Sequence, residues 1–317
     1  MPKQNTVRII GLMALWFAAH SAAAQGVWNS TLMEAPRGTT DLEILADGSI
    51  YVAGGSWLRF VRDWGASKEW EYLSDCGRDV NHIEWIDSLL YCSDGDLGIS
   101  VLDSTGVQSR MLTGIQITTN LLEGEEYFAG ASRGQLFRSE DGGKTWAVDN
   151  VQRLLESDDR IVALARANDH ICIAQGSPGW RSGDAFRVFS RSQDEWLAST
   201  IPALQHLEVF NDRFHSTVGR AIVVSDDCIH WSDLAVVPSD KDLEELFIEG
   251  DFILVGTIDH RYYHSTDGGR TWLNVDDRFN NIDPEFFTLG HDGYLYSISR
   301  STGSIYKTFK PALQMFD

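Results

Sequence analysis

The chain is short of the residues that several common architectures depend on. It has 4 Cys in 317 residues, too few for a scaffold stapled by many disulfides. It has 7 Pro, which rules out proline-rich rods and linkers as a major component. Beyond the first 25 residues no run approaches the roughly 20 apolar residues that a membrane-spanning helix needs. Basic residues are scarce: 26 Lys and Arg stand against 46 Asp and Glu, a formal charge of -20. That field repels a phosphate backbone and excludes nucleic acid as a general partner. No long segment carries the 3.6-residue apolar period of amphipathic helices either. What is abundant is glycine (28), tryptophan (11) and hydrophobic residues (43%), with aromatics spread along the whole chain. This is enough apolar material for a packed core and argues against long disordered tails.

The first 24 residues have the three parts of a secretory signal. Lys3 and Arg8 give a positive start, Ile9 to Ala19 is apolar, and Ser21-Ala22-Ala23-Ala24 offers a small-residue cleavage site. The apolar stretch is too short for a membrane anchor. Cleavage after Ala24 leaves a mature chain of residues 25–317, expected to form one domain, and the loss of Lys3 and Arg8 takes the charge from -20 to -22. Export to the periplasm or the medium is expected, where disulfides persist.

The mature chain repeats. Ser139-Glu140-Asp141-Gly142-Gly143-Lys144-Thr145-Trp146 and Ser265-Thr266-Asp267-Gly268-Gly269-Arg270-Thr271-Trp272 are near copies, both S-x-D-G-G-[KR]-T-W. Each follows a short apolar strand, a glycine-bearing turn and a second strand. The first copy follows Tyr127 to Gly130 and Gln135 to Arg138, the second Ile253 to Gly256 and Arg261 to His264. The same frame, worn down, starts at Ile50, Leu90, Ile171, Phe214 and Tyr294. Seven units of about 42 residues are the size of four-stranded propeller blades. The expectation is therefore an all-β, seven-bladed β-propeller of antiparallel four-stranded blades, with six or eight as the neighbouring alternatives. Val27 to Thr31 has no earlier unit and is expected to supply the last strand of the last blade, closing the ring and its exposed edges.

The S-x-D-x-G-x-T-W motif, with two intact copies in the right frame, resembles that of the Asp-box (BNR-repeat) β-propellers, and the resemblance covers nearly the whole mature chain. That superfamily includes sialidases, endoglucanases, sortilin-type receptors and photosystem II assembly factors; size, export and blade number are most similar to the last. The resemblance fixes no function. In the motif, glycines accept the positive φ of a tight turn and Ser and Asp bond its N–H groups, so Asp141, Trp146, Asp267 and Trp272 are expected to be structural. The arginine of a sialidase F-R-I-P segment is missing: Phe60-Val61-Arg62 and Phe186-Arg187-Val188 are the nearest shapes.

Chemistry is expected on the face opposite the motif turns. Arg59, Arg133, Arg181, Arg220, Arg261 and Arg300 fall where second and third strands connect, and Arg78 in a connection between blades. Arginine favours planar contacts with carboxylates, phosphates and aromatic rings. Trp57 and Trp180 belong to the same face, where an indole stacks on a sugar or anchors a partner. Acids such as Asp79, Asp96, Asp184, Asp259 and Asp283 could instead neutralise these arginines. Glu43, Glu84 and Glu208, with Asn120, occupy innermost strands and so the central channel. His82, His170, His206, His260 and His264 lack metal-ligand spacing, and the Asp94-Gly95-Asp96 run lacks the downstream Glu of a calcium loop, so neither metal nor cofactor is expected. Tyr262 and Tyr263 are expected to point one into the core and one out.

Two functions are consistent with this pattern. One is an exported, monomeric, non-catalytic propeller that binds a protein segment or an anionic polysaccharide through its arginines. The other is a sialidase-like or other glycan-active hydrolase. One disulfide is expected, Cys76–Cys92, which falls at one end of the second unit. Cys172, placed mid-strand, and Cys228, placed in a motif turn, are expected at opposite rims and therefore as thiols.

Overall fold

The computed structural model describes residues 33–34, 39 and 41–308, except 46, 55–56, 63–68, 75–79, 81, 87, 96, 104–105, 124–125, 150, 152–158, 177–186, 193–194, 201–203, 205, 277–283, 291–292 and 300–303. Among these residues, alternating apolar residues and glycine-bearing turns fold into twenty-eight strands in seven antiparallel sheets of four. The chain enters with β1 (Met33–Glu34) and then builds its blades in order. Blade 1 is β2 (Asp41–Ile44), β3 (Ile50–Gly54), β4 (Trp57–Val61) and β5 (Glu71–Ser74). Blade 2 is β6 (His82–Ile86), β7 (Leu89–Asp94), β8 (Gly98–Asp103) and β9 (Gly106–Met111). Blade 3 is β10 (Ile117–Glu123), β11 (Glu126–Ala131), β12 (Leu136–Ser139) and β13 (Ala147–Val148). Blade 4 is β14 (Arg160–Ala167), β15 (His170–Gly176), β16 (Arg187–Ser192) and β17 (Glu195–Ala198). Blade 5 is β18 (Leu207–Phe210), β19 (Arg213–Val218), β20 (Ala221–Ser225) and β21 (Ser232–Val236). Blade 6 is β22 (Leu243–Glu249), β23 (Phe252–Thr257), β24 (Tyr262–Ser265) and β25 (Leu273–Asn274). Blade 7 is β26 (Pro284–Leu289), β27 (Leu295–Ser299) and β28 (Ser304–Lys307), completed on its outer edge by β1.

The ring is a seven-bladed β-propeller. The first strand of each blade touches the first strand of the next, and β26 returns to touch β2. Met33 pairs with Ile305 and Glu34 with Ser304, so the N-terminal strand closes the ring. The closing residues lie just after the expected Val27–Thr31, which falls outside the described residues, as do residues 1–24.

The core is divided the same way, with one apolar cluster at each interface between blades. The two-residue period of a strand sends neighbouring side chains to opposite interfaces. Leu246 packs toward blade 5 and Phe247 toward blade 7. Tyr262 and Tyr263 split in the same manner and are both buried, at 3% and 7% exposure. The outward tyrosine expected from sequence is therefore corrected: a middle strand of a blade has a packed neighbour on each side.

The disulfide also differs from expectation. Cys172 is bonded to Cys228, with Cα atoms 6.1 Å apart, and Cys92 is buried as a thiol; Cys76 lies outside the described residues. Cys172 sits two residues into β15, which begins at the same rim as the motif turns rather than the opposite one. Those turns lean onto the preceding blade. A Cβ on Gly143 would come within 2.4 Å of Met111 Sδ in blade 2, and one on Gly269 within 2.5 Å of Ala235 Cβ in blade 5. Cys228 occupies the corresponding place in blade 5, at φ 60°, and so faces blade 4 and Cys172.

Candidate functional site

The motif turns are hydrogen-bonded devices. Ser139 Oγ donates to Asp141 Oδ1 at 2.8 Å and accepts the Gly143 N–H at 2.8 Å. Thr145 donates its N–H to Asp141 Oδ1 (2.8 Å) and its hydroxyl to Oδ2 (2.7 Å), and the Trp146 indole donates to the Gly143 carbonyl at 3.0 Å. Ser265, Asp267 and Thr271 repeat the pattern at the same distances. The bonds from Thr145 and Thr271 hold both aspartates ionised, down to a pKa of about 2. Both oxygens of each acid are thus engaged within its own turn. Blade 5 keeps the device one residue shorter: Asp227 accepts the N–H groups of Ile229 and His230, and Trp231 donates to the Cys228 carbonyl.

On the opposite rim the structure places three of the expected arginines in connections between second and third strands. Arg133 sits in a 3-10 turn at Ser132–Gly134 with φ 65°, exposed and without an ion pair to a described residue. Arg220 is exposed in the turn between β19 and β20 and donates to the Ser239 carbonyl at 2.9 Å. Arg261, between β23 and β24, lies 3.3 Å from Asp259 and 3.5 Å from Asp240. Arg59 is a correction: it is the third residue of β4, not a loop residue, and its guanidinium lies over the Trp57 ring, 5.5 Å from the centroid. Trp57 in turn packs on the cluster between blades 7 and 1. Arg78, Trp180, Arg181 and Arg300 lie outside the described residues.

The channel acids divide. Glu43 and Glu84, from the first strands of blades 1 and 2, come together with Asp41 and His82. His82 Nδ1 is 3.0 Å from Asp41 Oδ2, and its Nε2 4.0 Å from Glu84 Oε2. Asn120 from blade 3 extends the run, donating to Glu84 at 3.2 Å and accepting the Ser93 hydroxyl. Burial, then repulsion from Asp41 and Glu84, raises Glu43 to about 7, against a lowering influence of His82. Burial opposes charging of His82, but the Asp41 hydrogen bond and the surrounding carboxylates outweigh it and raise its pKa. Glu208 is not part of this group: it is 46% exposed and pairs with His206 at 3.1 Å. Among the described residues no three His, Cys, Asp or Glu side chains are grouped as a metal site, and no helix is long and apolar enough to cross a membrane.

A charged centre that sequence reasoning missed lies on the rim of the motif turns, between blades 3 and 4. Glu126 accepts from Arg138 (2.8 Å), Arg166 (3.0 Å) and Arg191 (3.0 Å), and the Arg191 guanidinium, 7% exposed, stands over the Phe128 ring. These guanidinium contacts outweigh the effect of burial and lower the Glu126 pKa. The arginines are 12, 40 and 65 residues from Glu126, so no local pattern announces the group.

No family model and no curated protein matches the chain. Solved structures do. It is similar to YCF48 bound to D1 peptide, at 16% identity and TM-score 0.63, over 91% of this chain and 97% of that one. YCF48 from Cyanidioschyzon merolae matches at 14% identity and TM-score 0.60, over 90% and 98%. The GH74 xyloglucanase from Xanthomonas campestris matches at 13% identity and TM-score 0.62, over 92% of this chain and 54% of that one. At such identities the likeness is one of fold.

Proposed function

We propose that this protein is an exported, monomeric, non-catalytic propeller of the Asp-box type that binds a protein segment or anionic chain through the rim opposite its motif turns. The observation that carries the reading is that Arg133, Arg220 and Arg261 occupy equivalent turns of blades 3, 5 and 6, with Arg133 exposed and lacking an ion pair to a described residue. Arg78, Arg181 and Arg300 are proposed to extend the same face, with Trp57 and Trp180 as aromatic contacts. The partner's acidic groups would meet guanidinium donors on an otherwise acidic molecule, which favours a specific anionic segment over nonspecific attraction. The peptide-bound state of the similar YCF48 structure supports a protein segment as the ligand. Export is supported by the Cys172–Cys228 bond, which needs an oxidising compartment, and by the signal-like residues 1–24.

The test is fluorescence anisotropy with a labelled oligoglutamate peptide. Replacing both Arg133 and Arg220 by Glu is expected to weaken binding about tenfold or more. Unchanged affinity would show that these arginines serve only their own neighbours.

A second reading, a glycan-active hydrolase, draws on Glu43: a carboxylic acid held near pKa 7 beside other carboxylates has the protonation a general acid uses. Turnover of fluorogenic sialosides or other acidic glycosides that disappears in Glu43→Gln would establish it over the binding reading.

A further inference from the structure

The seven blades do not all carry the motif turn, and the difference opens a site. In blades 3, 5 and 6 the connection between third and fourth strands is six or seven residues long and leans onto the preceding blade. In blades 2 and 4 it is cut to two residues, 104–105 and 193–194. Between blades 3 and 4 the Glu126–Arg191 group occupies this region. Between blades 1 and 2 there is a cleft of about 220 Å³, lined from blade 1 by Asp47, Ser49, Tyr51, Phe60, Arg62 and Leu73, and from blade 2 by Trp85, Leu90 and Asp103.

The lining specifies a ligand class. Tyr51 is stacked on Phe60 at 5.5 Å and tilted against Trp85 at 5.2 Å, so aromatic surface forms the wall. Around it stand two carboxylates, Asp47 and Asp103, a guanidinium, and the Tyr51 phenol, which burial and the Asp47 charge keep protonated as a donor. An anion would face two carboxylates. A cation would meet Arg62, whose guanidinium already lies over the Phe60 ring at 5.3 Å. The cleft is smaller than the roughly 300–1,000 Å³ of sites for drug-sized ligands, so it suits a single ring. A neutral ring with one apolar face and a periphery of hydroxyls matches both the aromatic wall and the mixed donors and acceptors. We propose that the cleft between blades 1 and 2 binds one neutral pyranose unit of a glycan, stacked on Tyr51 and Trp85 and hydrogen-bonded by Asp47, Arg62 and Asp103.

The experiment is saturation-transfer NMR on the full mature chain with methyl β-glucoside, methyl β-galactoside, methyl α-mannoside and methyl β-xyloside as probes. N-acetyltyrosinamide and propylammonium serve as aromatic and cationic comparisons. At least one glycoside is expected to receive transfer at its ring C–H protons. Trp85→Ala should abolish the signal. Asp47→Asn and Asp103→Asn, changes at the rim that spare the apolar packing, should each weaken binding by about tenfold. The Arg133→Glu, Arg220→Glu double variant, on the other rim, should leave it unchanged, which separates this site from the proposed peptide face. The proposal is overturned if no glycoside gives transfer, if the signal survives in Trp85→Ala or in both aspartate variants, or if only N-acetyltyrosinamide or propylammonium binds.

Discussion

At the residue scale, two carboxylates show how surroundings set a side chain's charge and its effect on stability. Glu43 has its folded pKa raised to about 7 by burial and nearby acids. Its protonated form is therefore favoured on folding, and ionising it costs stability as the pH rises from about 4.5 to 7. Glu43→Gln is expected to stabilise the protein at pH 8, by at most about 3 kcal/mol, with the gain vanishing near pH 4. Urea denaturation at the two pH values measures it, and equal effects at both would contradict the assignment. Glu126 behaves in the opposite sense, since three arginines lower its pKa. Its contribution is complete above the ordinary carboxylate range and is lost as pH falls through the lowered folded value. Glu126→Ala should cost about 2 kcal/mol at pH 7, chiefly by leaving the buried Arg191 charge uncompensated, and progressively less as the pH falls through the lowered folded value. The composition of the chain says nothing of either case. Glu43 falls in the channel by its place on an inner strand; Glu126 carries no such signal in the sequence, because its partners lie on other strands and another blade.

At the scale of elements, the motif turn is both a hairpin and a clasp between blades. Its two glycines have different duties. Gly268 has φ +70° and only an ordinary contact with Asp251, whereas Gly269 has φ +86° and faces Ala235 Cβ at 2.5 Å. Gly268→Ala should cost about 1 kcal/mol from backbone strain, and Gly269→Ala about 3 kcal/mol, because the added methyl also collides with blade 5. Thermal denaturation of the two variants separates the effects. In blade 5 the same clasp is covalent. The Cys172–Cys228 loop spans 56 residues, and replacing both cysteines by serine should lower stability by about 4 kcal/mol on the chain-entropy estimate. Non-reducing peptide mapping is expected to recover a Cys172–Cys228 crosslink. The S-x-D-G-G motif and its glycine pair were readable in sequence because they are local. Which neighbour the turn touches is not a local matter, and for that reason the sequence points to Cys76–Cys92 while the structure joins Cys172 to Cys228.

At the scale of the whole molecule, closure depends on two residues of β1 pairing with β28. Deleting the chain through Glu34 should leave the outer edge of β28 unpaired and drive self-association, visible as larger species in light scattering. A deletion variant that stays as monodisperse as the undeleted protein would show that the other contacts of blade 7 suffice. The sequence alone determined the strand class, the seven repeats, the closing role of the N-terminal segment and the tight turns that Asp141 and Asp267 belong to. These follow from period-two alternation and turn chemistry, which act over a few residues and recur with each blade. Only the tertiary structure decided that Tyr262 and Tyr263 are both buried, that Arg59 lies on a strand over Trp57, that Cys172 meets Cys228, and that three arginines gather on Glu126. Each of these depends on how one blade stacks against the next, a relation between residues far apart in the chain that no local pattern encodes.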